Sequence, residues 1–363
     1  MTYSTAFSEL PYAYGQPQIQ GRLRTAPEDF QVREVLGFTL DGSGEHVWLW
    51  VRKRDANTEW VARQLAKLAG VPTGAIGYAG LKDRHAVTEQ WFSVQLPGRP
   101  EPDWATIDDP DITVLEVMRH SRKLRRGALA SNTFRIVVRD LKGDPAELTE
   151  RLTRITVSGV PNYFGEQRFG QEGGNLARAE AMLSGKEKVR DRHRHGLYLS
   201  AARSALFNAV LARRVTEHSW DQPLSGEALM LAGSHSVFAA GEPDETIHRR
   251  VTECDLHPTG PLWGAGELLS TGAARLLEET VAETLPVFRD GLGAAGLRQE
   301  RRALRLLVDD VGLEFLQPDT ASISFRLSAG AYATAVLREL VGVQLPLMGV
   351  GFLGGEHAHE FQF

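Results

Sequence analysis

The sequence predicts an α+β protein in which a β-rich domain is interrupted by a mainly helical insertion. Three observations predict it. Strand-like runs crowd roughly the first 150 residues, apolar spacing of the 3.6 type replaces them from residue 158, and strand-like runs return after residue 303. Because β-rich stretches stand on both sides of the helical one, an insertion is expected rather than two tandem domains. The expected boundaries are 1–157 plus 307–363 for the β-rich domain and 158–306 for the insertion. A chain of 363 residues suits such a division, since single cores stop growing near ~250–300 residues.

In order along the chain, HVWLWVRKR (46–54) reads as a strand. Asn57 and Thr58 then offer helix caps before EWVARQLAKLAG, where Gly70 is the stop signal. GAIGYAG is a short apolar run and AVTEQWFSVQL (86–96) a β-branched and aromatic one, so LKDRH is expected on the connection between two strands. Residues 97–111, rich in Pro and Asp, read as a surface excursion, and ITVLEVMRH and NTFRIVVRDL as further strands around the basic run RHSRKLRR (119–126). Beyond SGVPNYFGEQRFGQEGGN (158–175), LARAEAMLSG, SAARSALFNAVLARRV and GAARLLEETVAETL carry helical spacing. ALRLLVDDVGLEFLQ and SISFRLSAG (303–317 and 322–330) return to strand character, and AYATAVLREL reads as a helix.

Composition narrows the function. Hydrophobic content of 42% with 24% charged residues is that of a folded globular chain. The net charge of −5 supplies no global attraction to polyanions, so an anionic partner must be met by local patches such as 119–126 and RQERRALR (298–305). A basic run is most often a solvated face, and a second run raises the odds of a nucleic-acid partner. Cys254 is the only cysteine, which excludes a disulfide framework and a multi-thiolate zinc site and suits a reducing cytoplasm. No secretory leader and no membrane span is expected.

Two strings, GLGAAG (291–296) and GVGFLG (349–354), match the dinucleotide-turn pattern but lack its strand and helix context. The pairs His193/His195 and His357/His359 could put two imidazoles on a strand face, yet no third ligand accompanies them, so no metal is expected. Carboxylate chemistry remains. In GLKDRHA, Gly80 permits a tight backbone path, and Lys82 and Arg84 would favour the ionised form of Asp83 if they turned toward it. On composition alone the same residues read as a hydrated hairpin tip, because loops collect such side chains. NYFGEQRFG (162–170) interleaves Tyr163, Phe164 and Phe169 with Asn162, Gln167 and Arg168, alternating stacking faces with donors for phosphates or base edges; a buried aromatic hinge is the other reading.

At these residues the sequence resembles the TruD family of tRNA pseudouridine synthases: GYAGLKDRHAVTEQW resembles its catalytic motif and GVPNYFGEQRFG its second signature. The likeness continues through PEDFQVRE, RHSRKLRRGAL, LSAARSALFN, ERRAL and SAGAYATAVLREL. It implies a pseudouridine-synthase core, with a mixed and largely antiparallel sheet and flanking helices, interrupted by a TRUD insertion domain, V-shaped around a central cleft. It also implies that Asp83 is the essential aspartate and that Phe30, Asn132 and Tyr332 contact substrate, with Phe134 beside Asn132 in SNTF. The chain departs from the pattern at Tyr332, where phenylalanine is expected, and at Arg24, where lysine is expected near the aspartate.

The implied activity converts uridine 13 of tRNA to pseudouridine in the cytoplasm, with no cofactor, no metal and no obligate protein partner. One carboxylate has three routes open to it: attack on uracil C6, attack on ribose C1′, or removal of a ribose proton. The uridine must leave its stack, a cost of a few kcal/mol met by an aromatic wall and polar groups on the base edge. The competing functions are a catalytically silent RNA-binding or RNA-remodelling protein on the same fold, and an oxidoreductase using one of the glycine strings.

Overall fold

The computed structural model describes residues 7–170 and 173–343; the GVGFLG string, His357, His359 and the tail from Gly351 lie outside them. The elements run β1 (Gln20–Leu23), β2 (Phe30–Val35), β3 (His46–Arg54), α1 (Thr58–Ala69), β4 (Ile76–Tyr78), β5 (Val87–Gln95), β6 (Ile112–His120), β7 (Ser131–Lys142), α2 (Pro145–Ser158) and β8 (Val160–Pro161). They continue with α3 (Gly174–Leu183), α4 (Arg192–Thr216), β9 (Glu227–Leu231), β10 (Val237–Gly241), α5 (Glu245–Thr252), β11 (Leu256–Leu262), α6 (Gly272–Glu283) and α7 (Pro286–Ala294). The last are β12 (Glu300–Ala303), β13 (Arg305–Leu306), β14 (Asp309–Gln317), β15 (Thr320–Ser328), α8 (Ala333–Leu340) and β16 (Gly342–Val343).

Two compact units form. The first comprises, of the described residues, 18–149, 308–331 and 341–343, and carries a mixed sheet in the order β14-β15-β7-β2-β5-β3-β6, with β1 between β7 and β16 and with β4 on β5. Only the β2–β5 and β1–β16 pairings are parallel, so the sheet is largely antiparallel as expected. Strand β15 returns after more than 150 residues to pair on β7, and β14 pairs on the outer side of β15, so strands from before and after the middle segment share one sheet.

Period-2 alternation decides what each strand buries. Val47, Leu49 and Val51 of β3 and Phe92 and Val94 of β5 face the same way and pack on Val61, Ala62 and Leu65 of α1. Helix α1 ends where Gly70 adopts φ 62° and donates its N–H to Ala66 and Lys67, a left-handed cap that glycine adopts without penalty. Its start differs from expectation: Asn57 makes no side-chain cap, and the Thr58 hydroxyl is turned inward. The 97–111 excursion is likewise less solvated than expected, because Trp104 is buried in the α1 cluster.

The second unit comprises residues 1–17, 150–307 and 332–340. Helix α4 is its central element, buried along most of its length. The expectation of a mainly helical middle needs amendment, since this unit also holds an antiparallel sheet, β10-β9-β11-β12, and the two-stranded β13-β8. Packing also groups residues 1–17 and 332–340 with 150–307 rather than with the large sheet. The reason is local to this unit. Arg338 of α8 stacks on Tyr12 at 4.0 Å and donates to the carbonyls of Leu10 and Pro11, while the buried Glu339 carboxylate accepts from the amides of Ala13 and Tyr14.

Candidate active site

The strand register gathers three of the expected residues, Phe30, Asn132 and Phe134, on one sheet face. Phe30 pairs with Ile136, Val32 with Phe134 and Glu34 with Asn132; Val32 also pairs with Thr88, Lys53 with Thr88 and Val51 with Gln90. Directly paired residues point the same way, so Phe30, Glu34, Asn132, Phe134, Gln90 and Lys53 share the face on which α1 packs. Phe30 meets Phe134 edge-on at 6.3 Å, and Phe134 stacks on Phe325 at 5.3 Å. Asn132 Oδ1 is buried and has no donor among the described residues.

Asp83 lies on the loop from β4 to β5, above this face, with its side chain 17% exposed. The loop is fixed by a buried polar chain. Lys82 donates its backbone N–H to Thr58 Oγ1 (2.9 Å), Thr58 donates to Gln90 Oε1 (3.0 Å), and Gln90 Nε2 donates to the Gly80 carbonyl (3.1 Å). Lys82 Nζ reaches down to Glu34 Oε1 at 2.9 Å, and Glu34 Oε2 accepts from the Trp91 amide. Lys53 Nζ donates to the backbone carbonyl of Asp83 at 2.7 Å.

The carboxylate itself is held by Arg24, whose Nη2 donates to Oδ2 at 2.8 Å. Arg24 has φ 57°, a left-handed conformation that costs a non-glycine residue ~1 kcal/mol or more and that turns its guanidinium over the Phe30 ring at 4.2 Å. Burial is the main cause that pushes the Lys53 ammonium down to about 8, with Asp83 opposing and Lys82 reinforcing the shift.

The expected electrostatics of the loop are therefore corrected in detail. Lys82 is spent on Glu34, Arg84 is exposed, and His85 turns to Asp55 (Nδ1···Oδ1 2.8 Å); the cation on the Asp83 carboxylate comes from Arg24, 59 residues away. Gly80 has ample space for a Cβ, whereas Gly77 does not: a Cβ there would lie 2.4 Å from the Leu124 carbonyl and 2.5 Å from Ser93 Oγ. Lys53, Glu34, Thr58 and Gln90 were not among the expected site residues. A signal for Lys53 and Glu34 existed, since each continues the inward alternation of its strand, 47-49-51-53 and 30-32-34.

The remaining expected residues lie in the second unit, where they form their own cluster. Phe164 is bracketed by Arg302 (4.4 Å) and Arg168 (5.4 Å) and meets Tyr332 edge-on at 5.9 Å. Arg168 donates through Nε and Nη2 to the Tyr332 hydroxyl (3.1 and 2.7 Å) and through Nη1 to Ser200. Arg302 donates to Asn162 Oδ1 at 2.7 Å, and Asn162 Nδ2 donates to the Ala303 carbonyl. Burial lowers the Arg302 guanidinium to about 10 despite the counteracting Tyr332. Asn208 of α4 exchanges two bonds with the Phe164 backbone, and Gln167 sits half-buried on the turn Glu166–Phe169. This segment is thus both a buried aromatic joint and a cationic one. His193 and His195 fall in the first turn of α4, where residues two apart diverge, so the strand-face reading of that pair fails.

A family model described as tRNA pseudouridine synthase D (TruD) matches residues 8–189 and 175–340. The chain is 52% identical over 337 residues to tRNA pseudouridine synthase D of Nitrosococcus oceani, covering 92% of this chain and 94% of that protein. It is 48% identical over 335 residues to the protein of the same name from Methylococcus capsulatus, covering 92% and 95%. Among solved structures, a putative tRNA pseudouridine synthase D from Methanosarcina mazei superposes with a TM-score of 0.70 over 91% of this chain and 95% of that one; at 22% identity this is a likeness of fold.

Proposed function

The chain belongs to the TruD family of tRNA pseudouridine synthases, and from that premise we propose that it isomerises uridine 13 of tRNA to pseudouridine in the cytoplasm with Asp83 as the reacting carboxylate. The observation that carries the reading is the Asp83 carboxylate itself, a partly exposed group on a loop pinned from beneath by Lys53, Lys82 and Gln90 and held at Oδ2 by Arg24. On this reading residues 1–157 and 307–363 form the catalytic domain and 158–306 the insertion.

The reaction breaks the bond from ribose C1′ to uracil N1, rotates the base and joins C5 to C1′; C5 gives up its proton and N1 takes one up, with no net redox change. Asp83 acts as nucleophile or base. Phe30 and Phe134 supply apolar wall, and the buried Asn132 Oδ1 accepts an N–H from the uracil edge. Arg24 orients the carboxylate through a charge-assisted bond and is itself oriented by Phe30. Asn162, Gln167, Arg168 and Tyr332 contact the RNA from the second unit.

Incubating the protein with unmodified tRNA and mapping pseudouridine tests the reading. Product at uridine 13, abolished in Asp83→Asn while tRNA binding persists, is the expected result. Wild-type protein that binds tRNA and makes no pseudouridine is the result that overturns it.

A further inference from the structure

We propose that a basic groove between α1 and the 122–126 segment binds the phosphodiester backbone of the RNA beside the Asp83 loop, which deepens the proposed function and rests on it. The groove is a cavity of about 610 Å³ whose charged lining is Glu59, Arg63, Lys123, Arg125 and Arg126, with Tyr78 beside them. Four cations against one carboxylate form a strong local reversal in a chain of net charge −5.

The basic wall is a fixed part of the fold. Leu124 is 2% exposed and clusters with Trp48 and Ala79. Trp48 Nε1 donates to the Arg122 carbonyl, Ser93 Oγ accepts from the Leu124 amide, and the Gly127 amide donates to the Ala79 carbonyl at 2.7 Å. Gly77 permits the approach, because any side chain at that point of β4 would strike the Leu124 carbonyl. Pinned at these points, the segment leaves Arg125 and Arg126 exposed, and Arg63 is exposed on α1 opposite. A preorganised cationic wall loses little entropy on binding phosphates.

Its position ties the groove to the chemistry. Tyr78 pairs with Phe92 and therefore points to the sheet face that carries Lys53, Gln90 and Glu34. Arg126 lies over its ring at 4.1 Å and donates to its hydroxyl at 2.8 Å, which fixes one guanidinium on the last residue of β4, where the chain leads into the loop. Asp83 follows Tyr78 by five positions, at most ~18 Å of extended chain. One RNA strand can lie in the groove and reach the carboxylate.

Equilibrium binding of unmodified tRNA tests this in the Asp83→Asn background, where turnover does not interfere. Arg63→Gln, Arg125→Gln and Arg126→Gln combined remove three exposed cations without touching the core. Each phosphate contact contributes ~0.7–0.9 to the slope of log K against log salt, so the slope should fall by about 2 to 3 and affinity near ~0.1 M salt by roughly 10- to 100-fold. Arg249→Gln, which removes one cation from an exposed helix pair on α5 far along the chain from the groove, should leave both unchanged. A triple variant with the parental slope and affinity overturns the groove, whether or not the wild-type protein makes pseudouridine. Conversely, wild-type protein inactive on tRNA with a groove-dependent slope upholds the groove while the enzymatic reading falls.

Discussion

Asp83 is held twice, at its carboxylate by Arg24 and at its carbonyl by Lys53, and the two bonds have different consequences. Replacing Arg24 by Gln removes the charge from Oδ2; the expected outcome is a 10- to 1000-fold loss of kcat, a few kcal/mol of positioning and charge stabilisation, with stability little changed. Steady-state assays beside urea unfolding separate the two. Lys82→Met does the opposite, because it strands the Glu34 carboxylate, whose side chain is fully buried. Breaking a buried pair costs about 3–5 kcal/mol, so the urea midpoint should drop sharply. Lys53 has a pH signature. Its folded value of about 8 lies below the ordinary 10.5, so the unfolded chain binds the proton more tightly. The stability cost of this lysine is therefore full below pH 8 and is relieved as pH rises toward 10.5, at up to ~1.4 kcal/mol per unit. Wild-type protein should gain stability relative to Lys53→Met over that interval, and equal pH slopes for the two proteins would contradict the assignment. At this scale the sequence made Asp83 visible, through its charged setting between strands and its motif. Its partners were hidden: a lysine next door was drawn away by the buried Glu34 carboxylate, and an arginine 59 positions off was aimed in by a left-handed backbone turn.

At the scale of elements, legibility followed length and period. Strands β3, β5, β6 and β7, nine to twelve residues each, stood out by alternation and β-branched content. The small sheet of the second unit did not. Its strand β11 reads LHPTGPL, and two prolines ordinarily argue against an internal strand. It pairs on both sides nonetheless, Leu256–Pro258 with β9 and Thr259–Leu262 with β12. The two halves bond different neighbours, so neither ladder holds more than one of the prolines. Arg305 of β13 locks this strand, donating to His257 Nδ1 at 3.1 Å and to the carbonyls of Val251 and Leu256. Burial, reinforced by Arg305, lowers the His257 imidazole to about 4 from 6.5. The unfolded chain thus takes up the proton first on acidification. The stabilisation from a neutral His257 is complete above pH 6.5 and is lost as pH falls toward 4. His257→Gln keeps an acceptor for Arg305 without a titrating ring, so its unfolding free energy should vary less between pH 6.5 and 4 than that of the wild type. Parallel curves in denaturant titrations would remove His257 as the cause.

For the whole molecule, the connectivity is the least legible feature. The α+β class and the bracketing of helical by β-rich sequence could be read from pattern, but the chain changes unit at 17/18, 149/150, 307/308, 331/332 and 340/341. Periodicity reports which face of an element is buried and says nothing about which distant element covers it, so the grouping of residues 1–17 and 332–340 with 150–307 lay beyond it. That grouping bears on the expected insertion 158–306. Within the second unit, Tyr163 is fully buried, with Arg338 5.4 Å from its ring and the Pro11 carbonyl accepting from its hydroxyl. The Tyr14 hydroxyl donates to the Gly159 carbonyl at 2.6 Å, and Arg151 donates to the carbonyls of Gly15 and Glu339. A fragment spanning only 158–306 forfeits the partners of Tyr163 and exposes apolar surface that α8 and the N-terminal segment cover. Each buried aromatic so exposed forfeits ~2–3 kcal/mol against a typical total of only 5–15. The fragment should therefore retain helical far-ultraviolet dichroism from α4 and melt without a cooperative transition, whereas the full chain should melt cooperatively. A sharp thermal transition and dispersed amide resonances from the isolated fragment would show that the insertion is self-sufficient and that the flanking segments are accessory to it.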